Sequence, residues 1–375
     1  MGSAIAFHLA RRGAKVLGLE RHAVGHPHGS SHGHSRVIRQ AYFEDPAYVP
    51  LLRRAYQLWH ELELLSGTRL LHLTGGLMLG TRGSPVLEGS LASARQHQLP
   101  HELLEAPAIR KRFPALAPTE EYFGLYETVA GVVCPEAATR AHADQAERHG
   151  AHLHWHEPAL DWISDGDRVR VTTRQGTYHA RQLVLSPGAW APSLFRMNLP
   201  LRITQQTLYW FEPMGGLEPF RLGHFPVYIW QHQPGEEFYG FPAMPLDGDP
   251  GGVKVAYFYR NLPIDPDSPR TPVSQAEVEQ MRWVLRERIP SLPGRLIHAQ
   301  RCLYTETPDH HFVIDRHPAL ANVCLVSPCS GHGYKFCTVV GEIVADLVMQ
   351  GQTRHPISLF SVSRQQLSTA AGLPG

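Results

Sequence analysis

The spacing of apolar residues divides the chain into recognisable elements. In MGSAIAFHLARRGAKVLGLER, Ala4, Ile5, Leu9 and Ala10 recur at helical spacing. Arg11 and Arg12 suit the negative end of the helix dipole, and Gly13 ends the helix. Val16 to Leu19 form an apolar run that predicts a buried parallel strand closing at Glu20. RVIRQAYFEDPAYVPLLRRAYQLWHELELL reads as helical, with Tyr48, Leu51, Leu52, Ala55, Leu58 and Trp59 at core spacing. LLHLTGGLMLG alternates around Gly75-Gly76 and predicts a hairpin, and helices are expected over 86–98 and 106–113. From Gly131 the order is strand, Pro135-led helix, Gly150 stop and strand. A hairpin around Gln175-Gly176 follows, then the apolar strand Leu183-Val184-Leu185, which runs into Ser186-Pro187-Gly188. Residues 200–260 are aromatic and alternate with period two, as in an antiparallel sheet. A polar helix over 274–289, the α/β text NVCLVSPCSGHGYKF and the amphipathic TVVGEIVADLVMQ complete the pattern, and the tail STAAGLPG should be loose.

Text of α/β type therefore occurs in three separated pieces with β-rich text between them. The fold class expected is α/β, or α+β overall: a Rossmann-like nucleotide domain interrupted by a substrate domain built on a mixed or antiparallel sheet. The boundaries are 1–72, 135–200 and 309–375 for the first domain, and 73–134 and 201–308 for the second. A single mixed domain is the alternative.

Charge narrows the partners. Lys+Arg 35 against Asp+Glu 34 leaves +1, without basic or acidic blocks, which argues against nucleic acid or a membrane surface as a main partner. No apolar stretch approaches the ~20 residues of a membrane span, and no signal peptide is visible. Five cysteines, an odd number, do not suggest a disulfide scaffold, so a cytoplasmic setting is expected. Of the 24 histidines, several cluster at 22–34 and at 149–156. The alternating three of HLHWH share one strand face and could hold a metal, or could line a solvated edge. No cysteine or carboxylate completes a ligand set, so no metal is expected.

Several stretches concentrate useful chemistry. Gly2 fits the third glycine of G-x-G-x-x-G, and Glu20 fits the ribose acceptor after the following strand; an ordinary amphipathic helix before a strand reads equally well. Gly188 breaks a buried strand where a ligand can approach the backbone. After the loop GHPHGSSHGHS, Arg36 and Arg39 are three apart on one expected helical face, which suits a carboxylate, a phosphate or an electron-rich ring, or two solvated cations. Lys254 stands in an apolar strand, pointing either outward or inward as a fixed charge. Cys302 follows Arg301 and is either inert packing or an activated thiolate. Gly331 and Gly333 flank His332 ahead of Lys335, which allows close approach to a planar ligand or simply makes a turn.

Taken in order, GSSHGHSR-x-x-R, G-V-K-V, C-x-Y-T-x-T-P-D and S-G-H-G-Y-K-F resemble the monomeric sarcosine oxidase and N-methyltryptophan oxidase family, flavoenzymes of the D-amino-acid-oxidase-like superfamily. The resemblance runs over nearly the whole chain. It implies FAD, attached through a thioether at Cys302. Arg39 and Lys335 would clamp a substrate carboxylate, and Tyr239 and Tyr304 would line the substrate pocket. His32 and Arg36 would lie against the flavin, Lys254 would activate O₂, Glu20 would hold the ribose, and the turn containing Gly331 and Gly333 would approach the ring. The activity implied is oxidation of a secondary amino acid by hydride transfer to FAD, hydrolysis of the imine, and reoxidation by O₂ to H₂O₂, in a monomer. A dehydrogenase of the same fold with another acceptor is the runner-up.

Two departures stand out. Phe258 lies four residues after Lys254, where sarcosine-specific members carry a histidine, so a more apolar pocket and a bulkier N-methyl or cyclic substrate are expected. The family's first strand and G-x-G would precede the segment that opens this sequence. A nucleotide sheet without that strand, with poor folding or poor FAD retention, is therefore expected. A non-catalytic product binding metal weakly through its histidines is the other outcome considered.

Overall fold

The computed structural model describes residues 1–260, 262–365 and 367; the tail STAAGLPG lies outside them. Its largest sheet has nine strands. Arg202–Phe211 pairs antiparallel with Val253–Tyr257 on one side and with Leu296–Glu306 on the other. Glu236–Gly240 and Val227–Gln233 continue the antiparallel order. Val227–Gln233 then runs parallel to Gly76–Thr81, so the sheet is mixed. Tyr122–Glu127 and Glu102–Glu105 complete that side.

The period-two alternation does what it predicts, because this sheet is covered on both faces. Leu208, Trp210, Ile229, Tyr239 and Ala256 face the main core. Tyr209, Phe211, Tyr228, Trp230, Val255 and Tyr257 face a second core under the helix Gln275–Arg288. Lys254 is opposite Trp210 in register and shares its face, so its side chain points inward and is 2% exposed.

The nucleotide-type part contains two parallel pairs. Leu17–Leu19 pairs with His152–His154, and Leu183–Leu185 pairs with Leu320–Ser327. Among the described residues no sheet hydrogen bonds join one pair to the other. Helix Gly2–Arg11 packs against Pro135–Arg148 and Cys337–Gln350. Its approach to the last of these needs Gly341, where a Cβ would stand 2.7 Å from the Ala4 carbonyl oxygen. No helix among the described residues is long and apolar enough to cross a membrane.

Four local expectations are corrected. The strand at Val16 to Leu19 is not buried: Leu17 is 39% exposed, because Leu17–Leu19 is hydrogen-bonded along one edge only. The segment after Ser35 is not helical until Pro46. Arg36–Ile38 is a strand paired with Gly131–Val133, and the long helix is Val49–Ser66. Residues 70–80 are not a hairpin, because Leu71–Leu73 pairs with Gly131–Val133 whereas Gly76–Thr81 enters the nine-stranded sheet. The alternation in HLHWH stops at His154, since His156 has φ 59° and leaves the strand direction.

Candidate active site

A cavity of about 2570 Å³ opens between the two parallel pairs and runs to the face of the large sheet. Small-ligand pockets usually measure ~300–1,000 Å³, so this one has room for a dinucleotide and a substrate together. Its lining includes Gly2, Glu20, Arg36, Arg39, Gly188, Tyr239, Phe258, Tyr304, Gly331, Gly333 and Lys335.

One end is cationic. Arg39 is fully buried and forms an ion pair with Glu44 at 2.6 Å. Its guanidinium carbon stands 4.2 Å from the centres of both the Tyr42 and Phe43 rings. Its Nε has no partner. Lys335 donates to the His332 carbonyl at 2.7 Å and lies 5.2 Å from the centre of the same Tyr42 ring. Burial, with Arg39 and Arg36 nearby, brings the Lys335 ammonium down to about 7 against the pull of Glu44. Tyr42 Oη meets His332 Nδ1 at 2.6 Å, and burial holds His332 neutral by lowering it to about 3.

Arg36 and Arg39 share this cavity for a reason other than the one expected. Arg36 begins a strand, and Arg39 lies just beyond the strand's end, where the chain turns. Glu127 fixes that turn by accepting from the Gln40 and Ala41 backbone N–H groups at 2.8 and 3.0 Å.

The wall beside the cations is aromatic. Phe258 packs against Tyr259 at 4.6 Å, with Tyr239 and Phe43 at 6.1 and 6.2 Å. Tyr304 stands 6.1 Å from Tyr259. Gly331 is required here, with φ 77° and a Cβ position 2.7 Å from Tyr304. At Gly333 a Cβ would collide with the Pro328 carbonyl. Both glycines therefore serve the turn itself, which carries Lys335 into place.

Cys302 is buried, and its neighbours are not those its sequence position suggests. Arg301 points away to Glu277 at 2.5 Å. Arg36 Nη2 lies 3.7 Å from the Cys302 sulfur. Burial pushes the thiol up, but His32, through charge and a hydrogen bond, together with Arg36 and Lys254, pulls it down to about 7. His32 Nε2 meets the Gly29 carbonyl at 3.1 Å.

Lys254 lies behind the turn Gly33–Ser35 and borders a second cavity of about 10 Å³, with Trp210, Phe241 and Asp249. It does not line the large cavity, and its Nζ is held by the Gly33 and Ser35 carbonyls at 2.7 and 2.9 Å. At the other end Glu20 accepts from the His22 N–H at 2.8 Å. Gly2 starts a helix that has no side-chain cap, leaving its N–H groups for an anion. Gly188 also lines the cavity, with φ 59° and no protein atom within 4 Å of its Cβ position.

The donor set fits FAD. The cavity is large enough, an uncapped helix start lines one part of it, and the buried atoms His22 Nε2, Thr305 Oγ1 and Arg39 Nε on its lining residues lack partners. A profile described as FAD dependent oxidoreductase matches residues 1–347. The chain is 49% identical to a monomeric sarcosine oxidase of Streptomyces avermitilis, over 97% of this chain and 95% of that protein. It belongs to the monomeric sarcosine oxidase and N-methyltryptophan oxidase family.

An N-methyl-L-tryptophan oxidase of Citrobacter koseri is 31% identical, over 97% of this chain and 96% of its own length. Among solved structures, the open form of NikD, described as an unusual amino acid oxidase essential for nikkomycin biosynthesis, superposes with a TM-score of 0.81. It shares 25% identity and covers 96% of this chain and 94% of its own. Membership of this family makes the chain an FAD-dependent amine oxidase, with the Rossmann-like fold its sequence implied. The residues that the sequence reading missed are Tyr42, whose ring lies beside both cations, Glu44, which pairs with Arg39, and Glu127 and Glu136, which hold the backbone turns next to Arg39 and Arg36. No spacing in the sequence marks them, because each meets its partner through a turn or a distant strand.

Proposed function

We propose that the chain oxidises a secondary amino acid, N-methyl or cyclic, whose carboxylate is held by Arg39 and Lys335. The observation that carries this reading is that both cations lie beside the Tyr42 ring at one end of a single aromatic-walled cavity, with Arg39 Nε unsatisfied. A carboxylate there accepts charge-assisted hydrogen bonds in a low-dielectric site. The same positive field disfavours an ammonium on the substrate and so keeps the amine in its neutral, oxidisable form. Bound FAD supplies the two-electron acceptor. Phe258, Tyr239 and Tyr304 offer aromatic surface to a substituent larger than the bare methyl of sarcosine. The relatives named for sarcosine and for N-methyl-L-tryptophan support a secondary amine as the group attacked.

Cys302, with a thiol near neutrality beside Arg36, supports a thioether to the flavin, and Lys254 supports O₂ as the acceptor by supplying positive charge where reduced oxygen species carry negative charge. The discontinuous division into a nucleotide domain and a substrate domain, and a monomeric state, belong to the same reading. The test is anaerobic bleaching of the purified flavoprotein by sarcosine, by cyclic amino acids and by larger N-methyl amino acids, followed by air. Bleaching that is faster with the larger substrates, and one H₂O₂ per substrate on re-aeration, are expected. Equal bleaching by the decarboxylated amines would refute the clamp. Reduced protein that is stable in air but discharged by a dye would replace the oxidase with a dehydrogenase.

A further inference from the structure

The turn between Lys254 and the helix Pro135–Arg148 is held from both sides. Glu136, in the first turn of that helix, accepts from the Gly33 N–H at 2.6 Å and from the His34 N–H at 3.2 Å to each carboxylate oxygen. Both turn residues are left-handed, Gly33 at φ 93° and His34 at φ 65°. A non-glycine residue in that region is held there only when its surroundings over-determine it. The conformation turns the Gly33 and Ser35 carbonyls toward Lys254 Nζ, at 2.7 and 2.9 Å, and Ser35 Oγ takes the third N–H at 3.1 Å. Two carbonyls and a hydroxyl thus fix the position of Nζ.

We infer that Glu136 is a positioning residue for Lys254: by gripping the two N–H groups of the turn, it aims the carbonyls that hold the lysine's Nζ in place. This rests on reading Lys254 as the cation on the oxygen side. Arg36 Nη1 also donates to the Ser35 carbonyl, at 2.8 Å, so the same turn joins Lys254 to the cation beside Cys302. Burial pushes the Lys254 ammonium down, with Arg36 acting in the same direction, and Glu136 opposes both.

Three variants of the flavin-loaded protein test this: Glu136→Gln, Lys254→Met and the double variant, with Glu136→Asp as a milder change. Stopped flow separates anaerobic reduction by substrate from reoxidation by O₂. Hydrogen–deuterium exchange of peptides covering 30–36 reports on the turn without reference to turnover. Glu136→Gln is expected to slow reoxidation about tenfold, to leave reduction within about twofold, and to speed exchange in 30–36 alone. The double variant should reoxidise no more slowly than Lys254→Met, because the two residues act as a unit. Glu136→Asp should fall between wild type and Glu136→Gln. Slowing of both half-reactions alike, additivity with Lys254→Met, unchanged exchange, or loss of flavin from both Glu136 variants would each overturn the inference. Should Lys254→Met itself leave reoxidation unchanged, the oxygen role of Lys254 falls, and Glu136 loses its reason with it. Slow reoxidation in Lys254→Met beside normal reoxidation in Glu136→Gln would sink the Glu136 inference alone.

Discussion

Lys335→Met removes a buried ammonium from the cationic end of the cavity, and its effect on carboxylate binding follows from the structure. A charge-assisted hydrogen bond in such a site is worth about 2–3 kcal/mol, or roughly 30–150-fold in Kd. In the ligand-free protein burial and Arg39 bring this ammonium to about 7. Below that value the site is charged and binds a carboxylate directly. Above it, binding must first restore the proton, so the wild-type Kd should rise about tenfold per pH unit. Contact with the carboxylate raises the pKa of Lys335 by the same 2–3 kcal/mol, about two units, so the rise should flatten near pH ~9. The assay is titration of the flavin absorption spectrum with acetate or benzoate between pH ~6 and ~9, where neither ligand titrates. Lys335→Met should bind about 30–150-fold more weakly at pH ~6 and show little pH dependence. A flat wild-type profile would refute the reasoning, as would a step near neutrality that survives in Lys335→Met.

Cys302→Ser should yield protein whose yellow colour is lost on acid precipitation, whereas the wild-type colour should stay with the pellet; colour retained by the variant would place the tether elsewhere. Gly341→Val drives a side chain into the Ala4 carbonyl across two packed helices and should lower stability by about 1–3 kcal/mol, read as a fall in Tm. Glu277→Gln breaks the ion pair with Arg301 and should cost about 1–2 kcal/mol at neutral pH, since the carboxylate is only partly buried. Hydrogen bonding to Arg301 chiefly lowers Glu277 to about 2, so its contribution is complete above the ordinary carboxylate value and fades as pH falls toward 2. The wild type should therefore lose this stabilisation across that acid range and the variant should not, as urea unfolding at a series of pH values will show.

Much of the fold could be read along the chain. The aromatic period-two text of 200–260 became four strands of the large sheet, because a sheet covered on both faces needs apolar residues at both parities. The helix stop at Gly13, the Pro135-led helix and the strand Leu183–Leu185 follow from backbone preferences that act within a few residues. Two of the corrected expectations share one origin. Arg36–Ile38 and Leu71–Leu73 were misread because both pair with Gly131–Val133, a strand about 60 to 95 residues further on, and local spacing carries no record of such a partner.

The site divides in the same way. The sequence by itself determined which cations, glycines and thiol this protein brings to its chemistry, since residue type and motif order are properties of the chain. Only the tertiary structure decided what each of them faces. It turned Lys254 inward through its register with Trp210, gave Cys302 the company of Arg36 in place of Arg301, and paired Arg39 with Glu44. Register, burial and charge partners are set by contacts between distant segments. The balance of desolvation and Coulomb energy that fixes a protonation state therefore exists only once the chain has folded.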